Sequence, residues 1–180
     1  MKRIGVFCSA SGSLAPLYYE QVRQLGEWLG EHDKTVIFGG ADMGLMATLA
    51  AAVKSQGGRT VGVVPQLLVE HGRVCKLLDE TIYTRDLSDR KDILVRESDV
   101  LLALPGGIGT LDELFHVMAA HTIGYHHKRV IFYNIDGFWN SLLAVLEEMA
   151  GKGFVRTPRE ELFAVADTLE EIICLLDEER

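Results

Sequence analysis

At 180 residues, 48% of them hydrophobic and 24% charged, the chain is long enough to bury a core and too apolar to be disordered. Its formal net charge of −8 argues against a non-specific nucleic-acid binder, which needs a basic face, but allows a small anionic ligand held by local cations. The three scattered cysteines, Cys8, Cys75 and Cys174, include no CxxC pair and suggest neither a disulfide framework nor a zinc knuckle.

Met1-Lys2-Arg3 is basic, but the apolar run behind it is too short for a signal peptide, and nothing approaches the roughly 20 apolar residues of a membrane span. The expectation is a cytoplasmic protein with no membrane partner. RIGVFCS is a short apolar strand that runs into the polar turn SASGS. Tyr18, Val22, Leu25 and Leu29 then recur at i, i+4, i+7 and i+11, one stripe of a helix. TVIF, Thr35 to Phe38, is a buried-type strand stopping at Gly39-Gly40, and Leu45, Leu49 and Val53 mark a helix that Gly57-Gly58 terminates.

TVGVV, Thr60 to Val64, is a third strand, cut off by Pro65. Gln66 to about Asp79 reads as an irregular binding segment or lid, and TIY as a weak fourth strand. LSDRKDILVRES predicts a helix with Ser88 near its cap, and DVLLALP, Asp99 to Pro105, a buried fifth strand. Leu111, Leu114, Phe115 and Met118 give the next helical stripe. RVIFYN is a strand, Phe138, Leu142, Val145 and Met149 a further stripe, and Leu169, Ile172, Ile173 and Leu176 the last.

Strands separated by helices imply parallel pairing with right-handed crossovers. The expected fold is α/β: a single domain over residues 1–180, a doubly wound, mostly parallel Rossmann-like sheet with helices on both faces. Ligands bind such sheets beyond the carboxyl ends of the strands. Three glycine- or serine-rich turns, SASGS, GGADMG and PGGIGT, follow strands here and are expected to converge on one crevice.

None of them is a dinucleotide or P-loop fingerprint. The first strand is not followed by GxGxxG, and Leu45-Met46 stand where a P-loop needs its lysine and hydroxyl. Around Ser11 and Ser13 there is no GxSxG elbow. His116, His121, His126 and His127 include no HExxH and read as surface or loop histidines, so no metal is expected. Cys8 reads as a buried strand-end residue.

LPGGIGTLDE, Leu104 to Glu113, poses a conflict: glycines that open a helix favour a phosphate, whereas acids just behind them repel one. A structural reading takes Thr110 as N-cap and Glu113 as its capping-box partner, which explains the acids but not Pro-Gly-Gly-x-Gly. Arg90 and Lys91 lie near the start of a predicted helix, an unfavourable end for cations, either as a solvated pair or as part of an anion site.

Taken together, FGGADMGLM, GGRTVGVVP, DRK and above all LPGGIGTLDELF, followed by IGYHHKRVIFYNIDGFWN, resemble the LOG family, the cytokinin riboside 5′-monophosphate phosphoribohydrolases. The PGGxGTxxE signature is complete in Pro105, Gly106, Gly107, Gly109, Thr110 and Glu113, and the likeness runs to about residue 155. Members were long labelled lysine decarboxylases, but no lysine here carries a pyridoxal phosphate constellation.

The resemblance implies hydrolysis of a nucleoside 5′-monophosphate, AMP-like or N6-modified, to free base and ribose 5-phosphate, without a cofactor and in a homodimer. It makes Arg90 and Glu113 catalytic. Substrate contacts fall to Glu70, Lys91, Gly106, Gly107, Ile108, Gly109 and Thr110, and to Ser9, Gly39, Gly40 and Met46 in the earlier turns. There are three departures from the family pattern. Ala41 and Ala47 stand in GGA and GLMA, and Glu70 is about two residues too far from Arg90 for the upstream family Glu. Ala119-Ala120 replace a Thr and a Trp, which bears on base specificity. The alternative is a carrier that holds a nucleotide or molybdopterin-type cofactor without cleaving it; an acid at 113 favours the enzyme.

Overall fold

A computed structural model describes residues 2–178; Met1, part of the basic start, lies outside the described residues. Seven strands form one sheet: β1 (Arg3–Phe7), β2 (Thr35–Phe38), β3 (Arg59–Pro65), β4 (Glu80–Thr84), β5 (Val100–Ala103), β6 (Val130–Tyr133) and β7 (Phe163–Ala166). Their order is β4-β3-β2-β1-β5-β6-β7, and every neighbouring pair is parallel. The helices are α1 (Pro16–Glu31), α2 (Gly44–Ser55), α3 (Gln66–Glu70), α4 (Leu87–Glu97), α5 (Ile108–Thr122), α6 (Asn140–Gly151), α7 (Arg159–Leu162) and α8 (Leu169–Glu178).

Alternation along the strands divides the core between the two faces of the sheet. Ile4, Val6, Val36, Phe38, Leu102, Ile131 and Tyr133 pack against α1, α2 and α8. Phe7, Ile37, Val61, Val63, Leu101, Ala103 and Phe132 face α4, α5 and α6. The expected doubly wound α/β sheet is therefore observed, with helices on both faces. Each fully buried Leu or Ile in these layers contributes about 2 kcal/mol of apolar burial.

The predicted stripes of α1, α2 and α8 hold: Val22, Leu25, Leu29, Leu45, Leu49, Val53, Ile172 and Leu176 are buried. The stripe of α6 does not. Phe138, Val145 and Met149 are 41%, 50% and 38% exposed, and Leu146 is the buried residue of that helix. Apolar residues occur on two sides of this helix; of the predicted stripe Leu142 packs against the core, while the buried side centres on Leu146. Phe138 itself precedes α6, at the end of a 3₁₀ turn (Ile135–Gly137) in which Asp136 takes a positive φ of 53°.

Three further differences are local. Strand β7 was not foreseen, because FAVA is only four residues long between acidic and polar flanks; it pairs with β6 at the sheet edge. The segment 66–79 is not wholly irregular, since it begins as α3 and Ala41 bridges Val74. Asp86, not Ser88, caps α4, its carboxylate accepting from the backbone N–H groups of Ser88 and Asp89 at 2.9 Å each.

The site is positioned by the middle of the sheet. Neighbouring strands β1 and β5 send the chain in opposite directions, toward β2 and toward β6, so their connections part at the carboxyl ends and leave a crevice. The three predicted turns do meet there. Ser9 donates its N–H to the Pro105 carbonyl at 3.2 Å, and its own carbonyl accepts from Leu45 at 3.0 Å. Gly44 makes the second contact feasible: its φ is +58°, and a Cβ there would lie 2.4 Å from the Ser11 carbonyl oxygen.

Candidate active site

Helix α5 begins directly after LPGG. Its N-cap is Gly107, with no side-chain cap and no acid in the first turn. Thr110 is therefore not the N-cap, and the capping box with Glu113 does not form. The first-turn N–H groups of an uncapped helix have no intrahelical acceptor and can receive an anion. A Cβ added to Gly107 or Gly109 would meet nothing within 4 Å, so the loop is open on its outer side. Gly106 serves packing, because a Cβ there would lie 2.1 Å from Oγ1 of the buried Thr110. Ile108, by contrast, is 82% exposed.

The acids sit in the second turn and meet the two cations of α4. Nη1 of Arg90 lies 3.4 Å from Oε1 of Glu113, both side chains being largely buried. Nζ of Lys91 donates to both carboxylate oxygens of Asp112, at 2.8 and 2.9 Å, nearer the surface. Two adjacent cations on one helix thus face two adjacent acids on the next. Nε of Arg90 also donates to the Val63 carbonyl at 3.1 Å, which ties the guanidinium to the end of β3.

Burial pushes the Glu113 carboxyl up to about 7; Arg90 opposes the rise, Asp112 adds to it and Lys91 again opposes it. Cys8, expected to be a buried strand-end residue, is buried at the end of β1. Its thiol is pushed up by burial and by the Glu113 charge, with Arg90 opposing, so it is a neutral wall.

The remaining predicted positions fall out unevenly. Ser9 is half-buried where the turns meet, its Oγ accepting from the Ser11 N–H at 3.0 Å. Gly39 lies against Arg90 and Met46. Gly40 takes a φ of +71° and faces β3: a Cβ would lie 2.6 Å from Val64, and its carbonyl accepts from Cys75 at 2.8 Å. Glu70 is exposed at the end of α3 and, among the described residues, makes no ion pair with Arg90 or Lys91. Asp112 and the Val63 carbonyl were missed; their roles come from the packing of α5 on α4 and of α4 on β3, which leaves no local pattern.

The histidines also differ from expectation in one respect. His121 is neither at the surface nor in a loop; it is buried on α5, with its ring edge-on to His126 at 5.8 Å and His127 at 6.0 Å. Among the described residues, no group of three or more His, Cys, Asp or Glu could hold a metal ion. No helix there is long and apolar enough to cross a membrane.

Known proteins resemble this chain in sequence and in fold. A family model described as "Possible lysine decarboxylase" matches residues 46–176. A probable cytokinin riboside 5′-monophosphate phosphoribohydrolase of Oryza sativa subsp. japonica is 36% identical over 177 residues, covering 98% of this chain and 72% of the relative. A cytokinin riboside 5′-monophosphate phosphoribohydrolase of Arabidopsis thaliana is 34% identical over 177 residues, covering 98% and 82%. The molybdenum cofactor carrier protein of Chlamydomonas reinhardtii shares the fold, with a TM-score of 0.75 at 24% identity, covering 99% of this chain and 97% of that one. With its signature glycines opening α5 and the family match spanning most of the sheet, the chain belongs to the LOG family, the group also described as possible lysine decarboxylases.

Proposed function

We propose that this protein hydrolyses the N-glycosidic bond of adenosine 5′-monophosphate or an N6-modified form of it, releasing free base and ribose 5-phosphate. The observation that carries this reading is the buried Arg90–Glu113 pair, with a carboxyl that ionises near 7, beside a helix end open to an anion. Names borne by relatives at 34–36% identity support the reaction class.

The 5′-phosphate sits on the uncapped N-terminus of α5, with Gly107 and Gly109 admitting it closely. Lys91 contributes charge from the side and exchanges its Asp112 partner for the phosphate. This places the ribose over the second turn of α5, where Glu113 lies. As the bond from C1′ to the base nitrogen breaks, its electron pair leaves with the base and positive charge builds on the sugar. The Glu113 carboxylate stabilises that charge and takes a proton from the attacking water, whose oxygen bonds to C1′. The proton is then passed to the departing base. Arg90 keeps a useful fraction of Glu113 ionised at neutral pH, since its charge opposes the burial that raises the pKa.

The active form is a homodimer in this reading. It is supported by an apolar groove of about 240 Å³ between α5, α6 and α7, lined by Phe115, Met118, Leu146, Met149 and Leu162, and by the exposed Ile123 farther along. Light scattering of the purified protein tests this point: a mass of one chain at micromolar concentration refutes it. A cytoplasmic location goes with the reading, supported by three free thiols.

The main test is product analysis. The protein is incubated with AMP and with N6-isopentenyl-AMP and assayed for free base and ribose 5-phosphate, beside Glu113→Gln. Base release that Glu113→Gln abolishes is the expected result, and the faster nucleotide identifies the preferred base. Binding without release from either nucleotide would overturn the hydrolase reading in favour of a carrier.

A further inference from the structure

Gly39 directly follows β2 into the crevice, and its backbone is not in the left-handed region, so conformational freedom does not explain the glycine. Space does. A Cβ built on Gly39 would fall 1.9 Å from Nη2 of Arg90, 3.1 Å from its Cζ and 3.1 Å from Cε of Met46. All three atoms belong to side-chain ends. The guanidinium thus occupies the volume a side chain at 39 would fill. Its other two nitrogens are also engaged, Nε with the Val63 carbonyl and Nη1 with Glu113.

From this geometry we infer that Gly39 is a positioning residue for the reaction: by lacking a side chain, it leaves the space from which the Arg90 guanidinium reaches Glu113. The inference rests on the Arg90–Glu113 pair being the reaction centre. It assigns Arg90 to Glu113 and not to the phosphate, because backbone of β2, carbonyl of β3 and carboxyl of α5 surround the guanidinium. It also gives Gly39 a role in the chemistry without contact to substrate.

The consequence is electrostatic. The charged and titratable groups acting on Glu113 are Arg90 and Lys91 of α4, Asp112 beside it on α5, and the Cys8 thiol at the end of β1. Of the two cations, Arg90 acts more strongly. Gly39→Ala forces the guanidinium away, and the cheap response is movement of a flexible side-chain end, so the fold survives. Glu113 then holds its proton to higher pH, and less carboxylate is present at neutrality.

The experiment compares wild type, Gly39→Ala, Arg90→Lys and the double variant, all as full chains. Two readouts are taken: kcat and KM for AMP across pH, and the Glu113 carboxyl titration by ¹³C NMR, assigned with Glu113→Gln. Gly39→Ala is expected to lower kcat at pH 7 by about tenfold or more, to change KM little, and to move both the ascending limb and the NMR titration upward. In the Arg90→Lys background, which lacks Nη2, adding Gly39→Ala has no further effect, because the two act through one contact.

A Glu113 titration unmoved by Gly39→Ala, or losses that add in the double variant, overturns the inference. If Gly39→Ala misfolds alone but folds with Arg90→Lys, the steric conflict is confirmed directly; if neither folds, the role of Gly39 is structural and the inference falls. Failure of the proposed reaction shows separately, as no base release by wild type, and leaves the NMR titration to decide this point.

Discussion

Replacing Glu113 by Gln removes one ionisable group from a buried site and keeps its shape. The carboxyl ionises near 7 in the folded protein, against an ordinary value of 4.5. The folded state therefore retains this proton to higher pH than the unfolded chain does. Stability from that difference is fully present below 4.5 and is lost as pH rises through 7. Between pH 5 and pH 8 the wild type gives up about 2.5 kcal/mol at this one residue, taking 1.36 kcal/mol for each pH unit between the two ionisations. Glu113→Gln has no such titration. The cost of leaving Arg90 without its partner in the variant enters at both pH values and cancels in the comparison. Urea denaturation of both proteins at pH 5 and pH 8 gives four unfolding free energies. The variant's stability relative to wild type should improve by about 2.5 kcal/mol from the lower to the higher pH. A relative stability that stays constant within about 0.5 kcal/mol would show that Glu113 titrates as an exposed carboxylate, and the argument for its buried, proton-holding state would fail.

Lys91→Met should raise KM for AMP about tenfold while leaving kcat within a few-fold, as expected for a group that binds ground and transition states alike; a loss confined to kcat in steady-state kinetics would contradict this role. Asp86→Ala should cost about 1 kcal/mol in urea unfolding and Ser88→Ala almost nothing, because the Asp86 carboxylate holds the first N–H groups of α4. Leu146→Ala should cost about 2–5 kcal/mol and Val145→Ala less than about 1 kcal/mol in the isolated chain, since only Leu146 is buried in α6. Equal losses for that last pair would place the helix in the register its apolar stripe first suggested.

The parts of the fold that could be read in advance share a physical cause. Val22, Leu25 and Leu29, or Leu45, Leu49 and Val53, are buried because each helix has one apolar side. TVIF and VLLA are buried throughout and almost wholly apolar because parallel strands are covered on both faces. Where this condition fails, so does the reading. α6 has apolar residues on two sides, and FAVA is an edge strand only four residues long. In the site, PGGxGT was legible because the loop needs its glycines locally: Gly106 to admit Thr110, Gly107 and Gly109 to leave the helix end open. Asp112 was not, since its partner Lys91 lies 21 positions away on another helix. The Thr110–Glu113 capping pattern was legible and misleading, because the helix begins three residues earlier than the pattern requires.

That early start resolves the conflict within LPGGIGTLDE. Had the helix begun after Thr110, Asp112 and Glu113 would fall in its first turn, where they would compete with a phosphate for the same N–H groups. With Ile108 as the first helical residue, both acids move into the second turn and rotate toward α4. There each meets a cation, one pair buried and one near the surface. The helix end is left without a side-chain cap and open to an anion. The buried pair is left with a carboxyl whose pKa lies within reach of neutral pH, as a group that must accept a proton from water requires. A carrier gains nothing from burying an acid behind its phosphate site, because the desolvated carboxyl costs stability at every pH where it is ionised. The presence of Glu113 despite that cost, with Arg90 beside it in the space that Gly39 leaves free, is the structural argument for chemistry at this site and against storage.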